Sequence, residues 1–249
     1  MIRLVASDLD GTLLNSAGEV SERSRDALSA AQHAGLIVVL ITGRPSRLVL
    51  PMAEHLGLRG HIICSNGAAT HRLQSGVAED LQPIPSQVLR ALILRLRQEL
   101  PDVSLGLEWG AGMLREPDDD ILAKLEVHPV LKLVARSAAL DPQALNARIN
   151  ALGAGEVHAS SSGAPFAEVA AAHVSKAYAL ERLCGLLGVQ AAEVVVFGDA
   201  PNDLPMMRWA GRAVAVANAQ PQVREAADEL TLSNNQDGVA VYLERLLSR

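Results

Sequence analysis

The first residues of the chain form a short apolar run that ends at two carboxylates. Residues 2–7 read Ile-Arg-Leu-Val-Ala-Ser, and Asp8, Asp10, Gly11 and Thr12 follow them. An apolar run of this length beside turn-forming residues predicts a buried strand. Ligands of an open α/β sheet bind beyond the carboxyl ends of its strands, so two acids here favour a cation site for phosphoryl transfer. An ordinary turn is the alternative, because Asp bonds its own backbone in turns.

Strands and helices alternate in the first third of the chain and again after residue 173. Ser21 and Ser175 are the predicted N-caps of two helices, which end near Gly35 and Gly188. The apolar runs that we predict as further buried strands cover residues 36–41, 61–64 and 193–197. Strands separated by helices of this length predict βαβ units and a parallel sheet.

The middle of the chain has a different sequence pattern, with frequent prolines and shorter predicted helices and strands. We predict a helix from an N-cap at Ser86, a second helix from Asp141 and Pro142, and a strand at residues 157–162. This block is predicted to be a separate α+β unit, residues 82–172. The expected architecture is a doubly wound α/β core, residues 1–81 and 173–249, with that unit inserted as a cap.

Three of the predicted parallel strands end in polar residues. These endings are Asp8, then Thr42, Gly43 and Arg44, and then residues 198–203, Gly-Asp-Ala-Pro-Asn-Asp. Parallel strands present their carboxyl ends at one edge, so we expect these groups to meet. Like charges only a few Å apart do not all ionise cheaply. A Mg²⁺ ion bound by carboxylates, waters and phosphate oxygens would balance them.

The bulk composition bears on several classes of partner and compartment. A net charge of −6 and an aromatic content of 2% argue against nucleic acid. The apolar run at residues 36–41 is far shorter than the roughly 20 residues that cross a bilayer, so we expect no membrane span. Because Met1 leads directly into the first predicted strand, we expect no signal peptide and a cytoplasmic protein. Cys64 and Cys184 lack metal-type spacing and are predicted to be buried free thiols.

Taken together, four ordered motifs resemble those of haloacid dehalogenase superfamily phosphatases of the Cof-like type. The first is Asp-Leu-Asp-Gly-Thr-Leu at residues 8–13, and the second is Ile-Thr-Gly-Arg at 41–44. The third is Val-Ser-Lys at 174–176, and the fourth runs from Gly198 to Met207. The resemblance covers nearly all of the predicted core and implies the Rossmann-like fold of that superfamily with a type IIB α+β cap.

The resemblance also implies a role for each matching acid. Asp8 would be the nucleophile, with one oxygen attacking phosphorus and the other on Mg²⁺. Asp10 would protonate the leaving group and then deprotonate water, and its backbone carbonyl would hold the metal. Asp199 would be a further metal ligand. Asp203 is also assigned as a metal ligand. The alternative is that it is an acid in the first turn of a helix, favoured there by the helix dipole.

The remaining matching residues would bind the phosphoryl group. Thr42 and the Gly43 amide would contact its oxygens, and Lys176 would balance its charge and orient Asp8. Asn202 would bond phosphate or Lys176. Arg44 is placed in this set too, although it could instead pair with an acid of the core or face the cap.

The implied activity is Mg²⁺-dependent hydrolysis of a small phosphorylated metabolite, such as a sugar phosphate, through an aspartyl-phosphate. A hexose phosphomutase on the same core is the alternative enzyme. A non-catalytic protein that binds a phosphorylated ligand is the alternative from another class. We expect a monomer or a homodimer without a nucleic-acid or membrane partner.

Overall fold

The computed structural model describes residues 1–160 and 164–248, which form two β-sheets with helices packed on them. The strands are β1 (Leu4–Asp8), β2 (Ile37–Ile41), β3 (His61–Cys64), β4 (Ala69–Arg72), β5 (Ala78–Leu81), β6 (Ser104–Glu108), β7 (Met113–Arg115), β8 (Lys132–Arg136), β9 (Val157–Ser160), β10 (Ala167–Ala171), β11 (Val194–Gly198), β12 (Arg212–Ala215) and β13 (Glu229–Leu230). The predicted strand at residues 157–162 is confirmed as far as Ser160, and its last two residues lie outside the described part of the chain.

The larger sheet, which we call the core sheet, has the order β13-β12-β11-β1-β2-β3-β4-β5. Its strands from β13 to β3 run parallel, and β1 lies in register between β11 and β2. This confirms the predicted parallel sheet. The antiparallel strands β4 and β5 were missed by the sequence analysis. Both are short and carry polar residues, so neither gives a strong apolar pattern.

Eight helices cover these sheets in the described residues. They are α1 (Glu22–His33), α2 (Ser46–His55), α3 (Ser86–Glu99), α4 (Pro142–Leu152), α5 (Lys176–Leu187), α6 (Leu204–Trp209), α7 (Pro221–Glu225) and α8 (Gly238–Leu247). The caps at Ser21, Asp141 and Ser175 are confirmed, because each side chain accepts a hydrogen bond from the backbone amide three residues later. The cap predicted at Ser86 is wrong: Pro85 occupies the N-cap, and Ser86 is the first helical residue.

Alternating side chains of the buried central strands separate two apolar layers. Val5 of β1 faces the layer that contains Leu28 of α1, whereas Leu4 and Ala6 face the layer that contains Leu180 of α5. This alternation follows from the two-residue period of a strand. Helices therefore cover both faces of the core sheet, which confirms the doubly wound fold.

The smaller sheet, which we call the cap sheet, is antiparallel with the order β7-β6-β8-β10-β9. Leu105, Leu107 and Leu133 belong to one face and are buried in the same apolar cluster as Ile93 of α3 and Ile149 of α4. The other face carries charged side chains and borders the carboxyl edge of the core sheet, because residues of both line one cavity. Among the residues that the structure describes, no helix has the length and hydropathy needed to cross a membrane.

Candidate active site

The ends of three neighbouring parallel strands bring the predicted acids together. Asp8 is the last residue of β1, Thr42 follows β2, and Asp199 follows β11. Because β11, β1 and β2 are adjacent and parallel, these residues share one edge of the core sheet. One carboxylate oxygen each from Asp8, Asp199 and Asp203 lies within 4.8 Å of the others. The predicted meeting of these three carboxylates is confirmed.

Lys176 connects two of these carboxylates. Its Nζ lies 2.5 Å from Asp8 Oδ1 and 2.6 Å from Asp203 Oδ1, and all three side chains are buried. Lys176 is held there by its position in the first turn of α5, whose N-cap is Ser175. Hydrogen bonds between charged partners are short and strong when water is excluded. The lysine therefore fixes the position of the Asp8 carboxylate.

Asp203 also organises the loop that carries Asp199. Its Oδ2 accepts hydrogen bonds from the backbone amides of Asp199 and Ala200, both at 3.0 Å. The loop passes close to this side chain, because a Cβ at Gly198 would lie 2.6 Å from the Cβ of Asp203. Asp203 thus links the loop after β11 to Lys176, and its carboxylate faces the acidic cluster.

Gly11 and Thr12 position Asp199. Thr12 Oγ1 donates a hydrogen bond of 2.9 Å to Asp199 Oδ1. Gly11 has a φ of +80°, and a Cβ at that position would lie 2.4 Å from Asp199 Oδ2. Only glycine meets both conditions cheaply, since a side chain would be strained and would displace the carboxylate. Sequence analysis gave these two residues no separate role.

The electrostatics of the cluster show an excess of negative charge. Burial, followed by the charges of Asp203 and Asp199, raises the pKa of Asp8 well above its ordinary value, and Lys176 opposes this rise. Burial and the charge of Asp203 raise the pKa of Asp199 to about 6. Burial by itself lowers the pKa of Lys176, but the charges of Asp203 and Asp8 outweigh it and the pKa is raised.

One lysine therefore does not neutralise three carboxylates, of which those of Asp8 and Asp203 are buried and that of Asp199 is partly buried. A hard divalent cation with oxygen ligands would remove the imbalance, and Mg²⁺ prefers carboxylates of this kind. The donor set fits such an ion. The Asp10 side chain lies outside this group of three, so the metal role predicted for Asp10 would have to come from its backbone carbonyl.

Asp10 is paired with Arg44 instead. The Nε atom of Arg44 lies 2.9 Å from Asp10 Oδ2 and 3.1 Å from Asp10 Oδ1, and both side chains are partly exposed to solvent. Of the two alternatives for Arg44, pairing with an acid of the core is the one observed. The pair places the predicted acid–base residue at the solvent side of Asp8.

The loop after β2 contains an internal hydrogen bond between Thr42 and Arg44. Thr42 is fully buried, and its Oγ1 accepts from the Arg44 amide at 3.0 Å. Its hydroxyl hydrogen remains free to point toward a phosphoryl oxygen. Gly43 lies against Asn66, because a Cβ there would come within 3.1 Å of Asn66 Oδ1. A larger residue at position 43 would press on that amide.

Asn202 lies on the opposite side of the same space. Its Nδ2 donates a hydrogen bond of 3.1 Å to Asn66 Oδ1. Of its two predicted partners, Lys176 is not the one observed, and contact with phosphate stays a prediction. Its buried Oδ1 has no hydrogen-bond partner among the described residues. An unpaired buried acceptor is costly. The amide is thus available to a ligand with a hydrogen-bond donor.

The cap sheet adds a buried cation that sequence analysis missed. Lys132 Nζ lies 2.6 Å from the Gly43 carbonyl oxygen and 2.6 Å from Glu168 Oε1. Glu108, also buried, lies 3.5 Å from the same nitrogen and accepts from Arg47 of α2 at 3.2 Å. These contacts join the cap to the loop after β2. The sequence did contain a signal for this residue, because the chain has three lysines and Lys132 interrupts an apolar strand pattern.

Two cavities border the cluster between core and cap. The larger, about 640 Å³, reaches Lys176, Asn66 and Asn202. The other, about 440 Å³, is lined by Asp8, Asp10 and Arg44, together with residues of the cap sheet. Among the described residues only the second cavity has both predicted reactive carboxylates in its wall. A substrate placed for reaction at Asp8 would therefore extend into the second cavity.

Comparison with known proteins identifies the family. The model of the haloacid dehalogenase-like hydrolase family matches residues 5–107 and 113–243. The chain belongs to the haloacid dehalogenase-like hydrolase family. A Bacillus subtilis 5-amino-6-(5-phospho-D-ribitylamino)uracil phosphatase, YcsE, is 30% identical over 96% of this chain and 93% of its own length.

Solved structures of this family share the whole architecture. BT1666 from Bacteroides thetaiotaomicron, described as a phosphatase of the haloalkanoate enzyme superfamily, superposes with a TM-score of 0.88 at 27% identity, covering 100% of this chain and 96% of its own. The fold is also that of BT4131, described as a subclass IIB sugar phosphatase, with a TM-score of 0.84 at 20% identity over 98% of both chains. This haloacid dehalogenase-like hydrolase is thus a phosphatase with a cap of the predicted type.

Proposed function

We propose that this phosphatase hydrolyses small phosphomonoesters through a phosphoryl group carried covalently on Asp8, with Mg²⁺ as its cofactor. The observation that supports this best is the cluster of the Asp8, Asp199 and Asp203 carboxylates, in which Lys176 bonds the buried Asp8 and Asp203. Asp8 has one oxygen bound by the lysine, which leaves the other oxygen to attack.

In the first half-reaction an Asp8 oxygen forms a bond to phosphorus, and the bond from phosphorus to the substrate's ester oxygen breaks. Asp10 gives its proton to that departing oxygen. In the second half-reaction Asp10 takes a proton from water, and the water oxygen attacks phosphorus. The bond to Asp8 then breaks, which releases inorganic phosphate and restores the carboxylate.

The neighbouring residues would hold the group that moves. Thr42 and the Gly43 amide would donate hydrogen bonds to phosphoryl oxygens, and Lys176 would offset their charge. Asp10 would have to release Arg44 before it reaches a leaving group. The incoming phosphoryl oxygens offer the guanidinium a new partner, so substrate binding and freeing of Asp10 would be coupled.

Asp8, Asp199, Asp203 and the backbone carbonyl of Asp10 would hold the metal. When bound, Mg²⁺ supplies charge stabilisation for a phosphoryl group in transfer. The substrate class is that of a small metabolite phosphate, in keeping with the phosphate ester named for the relative YcsE.

The decisive experiment compares Asp8→Asn with the wild type. Phosphate release from p-nitrophenyl phosphate and from a panel of sugar phosphates should fall by about 10³-fold or more. Asp26→Asn, an exposed acid of α1, is the matched control and should retain activity. Borohydride trapping during turnover, which reduces an aspartyl phosphate to homoserine, should mark Asp8 alone. Undiminished turnover in Asp8→Asn would overturn the proposal.

The same panel addresses the mutase alternative. Incubation with glucose 1-phosphate and a trace of the bisphosphate should release inorganic phosphate without accumulating glucose 6-phosphate. Accumulation of the 6-phosphate would assign the chain to phosphoryl transfer between hydroxyl groups of one sugar.

A further inference from the structure

The cavity beside Asp8 contains more cationic side chains than its own acids neutralise. Three of its cations are paired: Arg44 with Asp10, Arg47 with Glu108, and Lys132 with Glu168. The other two cations in its lining are Arg115 of β7 and Arg136 at the end of β8. Neither guanidinium lies within salt-bridge distance of a carboxylate in the residues that the structure describes. Unpaired cations here contrast with the net charge of −6 of the whole chain.

The strand register places both arginines on the face of the cap sheet that turns toward Asp8. Lys132, Val134 and Arg136 alternate along β8, so they share one face, and all three line the cavity. Arg115 and Val134 both pair with Gly106 of the strand between them. Directly paired residues project to the same side. Arg115 therefore belongs to the same face as Arg136.

Gly106 leaves room for the Arg115 side chain to lie across the sheet. A Cβ at position 106 would lie 3.6 Å from Arg115 Cγ and 2.6 Å from Met113 Cε. A Cβ would therefore displace the end of the Met113 side chain that contacts Arg115, whereas its distance from Arg115 itself is an ordinary van der Waals contact. The glycine is not required by its backbone conformation, so the space above it is the feature that it provides.

Apolar and soft groups hold the two guanidinium groups in place. The Arg136 guanidinium carbon lies 4.6 Å from the centre of the Phe166 ring. The Arg115 Nε lies 3.2 Å from the Met113 sulfur. Stacking of this kind supports a guanidinium while its remaining N–H groups stay available for an oxyanion.

We propose that Arg115 and Arg136 form a subsite for a second anionic group on the substrate's leaving group. This inference rests on the proposed function, because Asp8 and Asp10 define the end of the cavity where the phosphoryl group reacts. The preferred substrates are then phosphomonoesters whose alcohol portion carries a carboxylate or a second phosphate. Arginine suits both groups, since its planar fork binds two oxygens at once.

Matched substrate pairs test this subsite. 3-Phosphoglycerate and glycerol 3-phosphate differ by a carboxylate in place of a hydroxymethyl group, as do 6-phosphogluconate and sorbitol 6-phosphate. Fructose 1,6-bisphosphate and fructose 6-phosphate form the corresponding pair for a second phosphate. The wild type should favour the more anionic member of at least one pair by about tenfold or more in kcat/KM. Which pair shows the preference distinguishes carboxylate from phosphate and a short leaving group from a long one.

The double variant Arg115→Ala/Arg136→Ala should lose that preference, with a loss of kcat/KM at least about tenfold larger for the more anionic member. The control is Arg90→Ala/Arg95→Ala, which removes the same charge from α3, on the apolar side of the cap sheet. Within residues 1–160 and 164–248, the side chains of both control arginines bond only backbone carbonyl groups. The control should keep the wild-type preference. Equal use of the two members of every pair by the wild type would overturn the subsite, as would equal losses for both members in the double variant.

Binding measurements separate this inference from the proposed function. Calorimetric titration of Asp8→Asn with the same pairs reports affinity without turnover. Tighter binding of the more anionic member that disappears when Arg115 and Arg136 are replaced by alanine supports the subsite. It does so even if the tests of p-nitrophenyl phosphate hydrolysis and borohydride trapping give negative results. Equal affinities would overturn the subsite while leaving a positive hydrolysis result intact.

Discussion

Lys176→Met is the substitution whose effect can be worked out most fully. The variant keeps much of the side-chain length but removes a buried ammonium that lies 2.5 Å from Asp8 and 2.6 Å from Asp203. Each hydrogen bond to a charged group contributes about 1.5–3 kcal/mol. Removing one partner of a buried ion pair costs about 3–5 kcal/mol, because the other charge stays buried. We expect a loss of unfolding free energy of about 3–5 kcal/mol near neutral pH in chelator.

The loss should depend on pH in a defined direction. Lys176 lowers the pKa of Asp8, so its removal raises that pKa further above the value in the unfolded chain. A carboxyl with a raised pKa in the folded state binds more protons folded than unfolded, so stability decreases as pH rises. The variant should consequently approach the wild type below about pH 4, where Asp8 is protonated in both the folded and the unfolded chain, and diverge from it toward neutrality.

Urea unfolding followed by circular dichroism measures both effects, with an unchanged m-value as the sign that the folded state is intact. Lys124→Met, at an exposed cap position, is the control and should cost less than about 0.5 kcal/mol. Phosphate release should fall by about 10²–10³-fold. A loss of stability under about 1 kcal/mol at neutral pH would refute the reasoning, because the ammonium would then not offset two buried carboxylates.

The other predictions concern the metal, the cap and the thiols. In differential scanning calorimetry, Mg²⁺ should raise the Tm of the wild type in a concentration-dependent way and raise that of Asp199→Asn much less. The absence of any shift in the wild type would contradict a carboxylate metal site. Lys132→Met should cost about 3 kcal/mol and speed hydrogen exchange in the loop at Gly43, and unchanged exchange there would show that the cap is held by other contacts. Burial raises the pKa of Cys64 to about 12 and of Cys184 to about 11, so neither should react with a disulfide reagent at about pH 8 until urea unfolds the chain.

The parts of the site that the sequence predicted follow from general rules for parallel sheets and helix caps. Asp8 and Asp199 could be placed together because the carboxyl ends of adjacent parallel strands share an edge, whatever the rest of the fold does. Ser21 and Ser175 could be assigned as N-caps because the hydrogen bond that each accepts spans only three residues.

The parts that the sequence did not predict depend on contacts between distant segments. The burial of Lys132 depends on Glu168 of β10 and the Gly43 carbonyl of the core, which reach the same nitrogen from distant segments. The partner of Asn202 is set by the approach of Asn66 from another loop. The N-cap predicted at Ser86 is one residue too late, since Pro85 already has the extended backbone that an N-cap needs.

The short connection from β10 to α5 has a consequence for engineering. Strand β10 ends at Ala171, and only four residues separate it from Lys176. A chimera that exchanges the inserted unit would place its second splice within about four residues of Lys176. Junctions drawn upstream of Ala171, which keep the native segment through Ser175, should preserve turnover. A library that varies the segment itself would change ligand preference and reaction chemistry together.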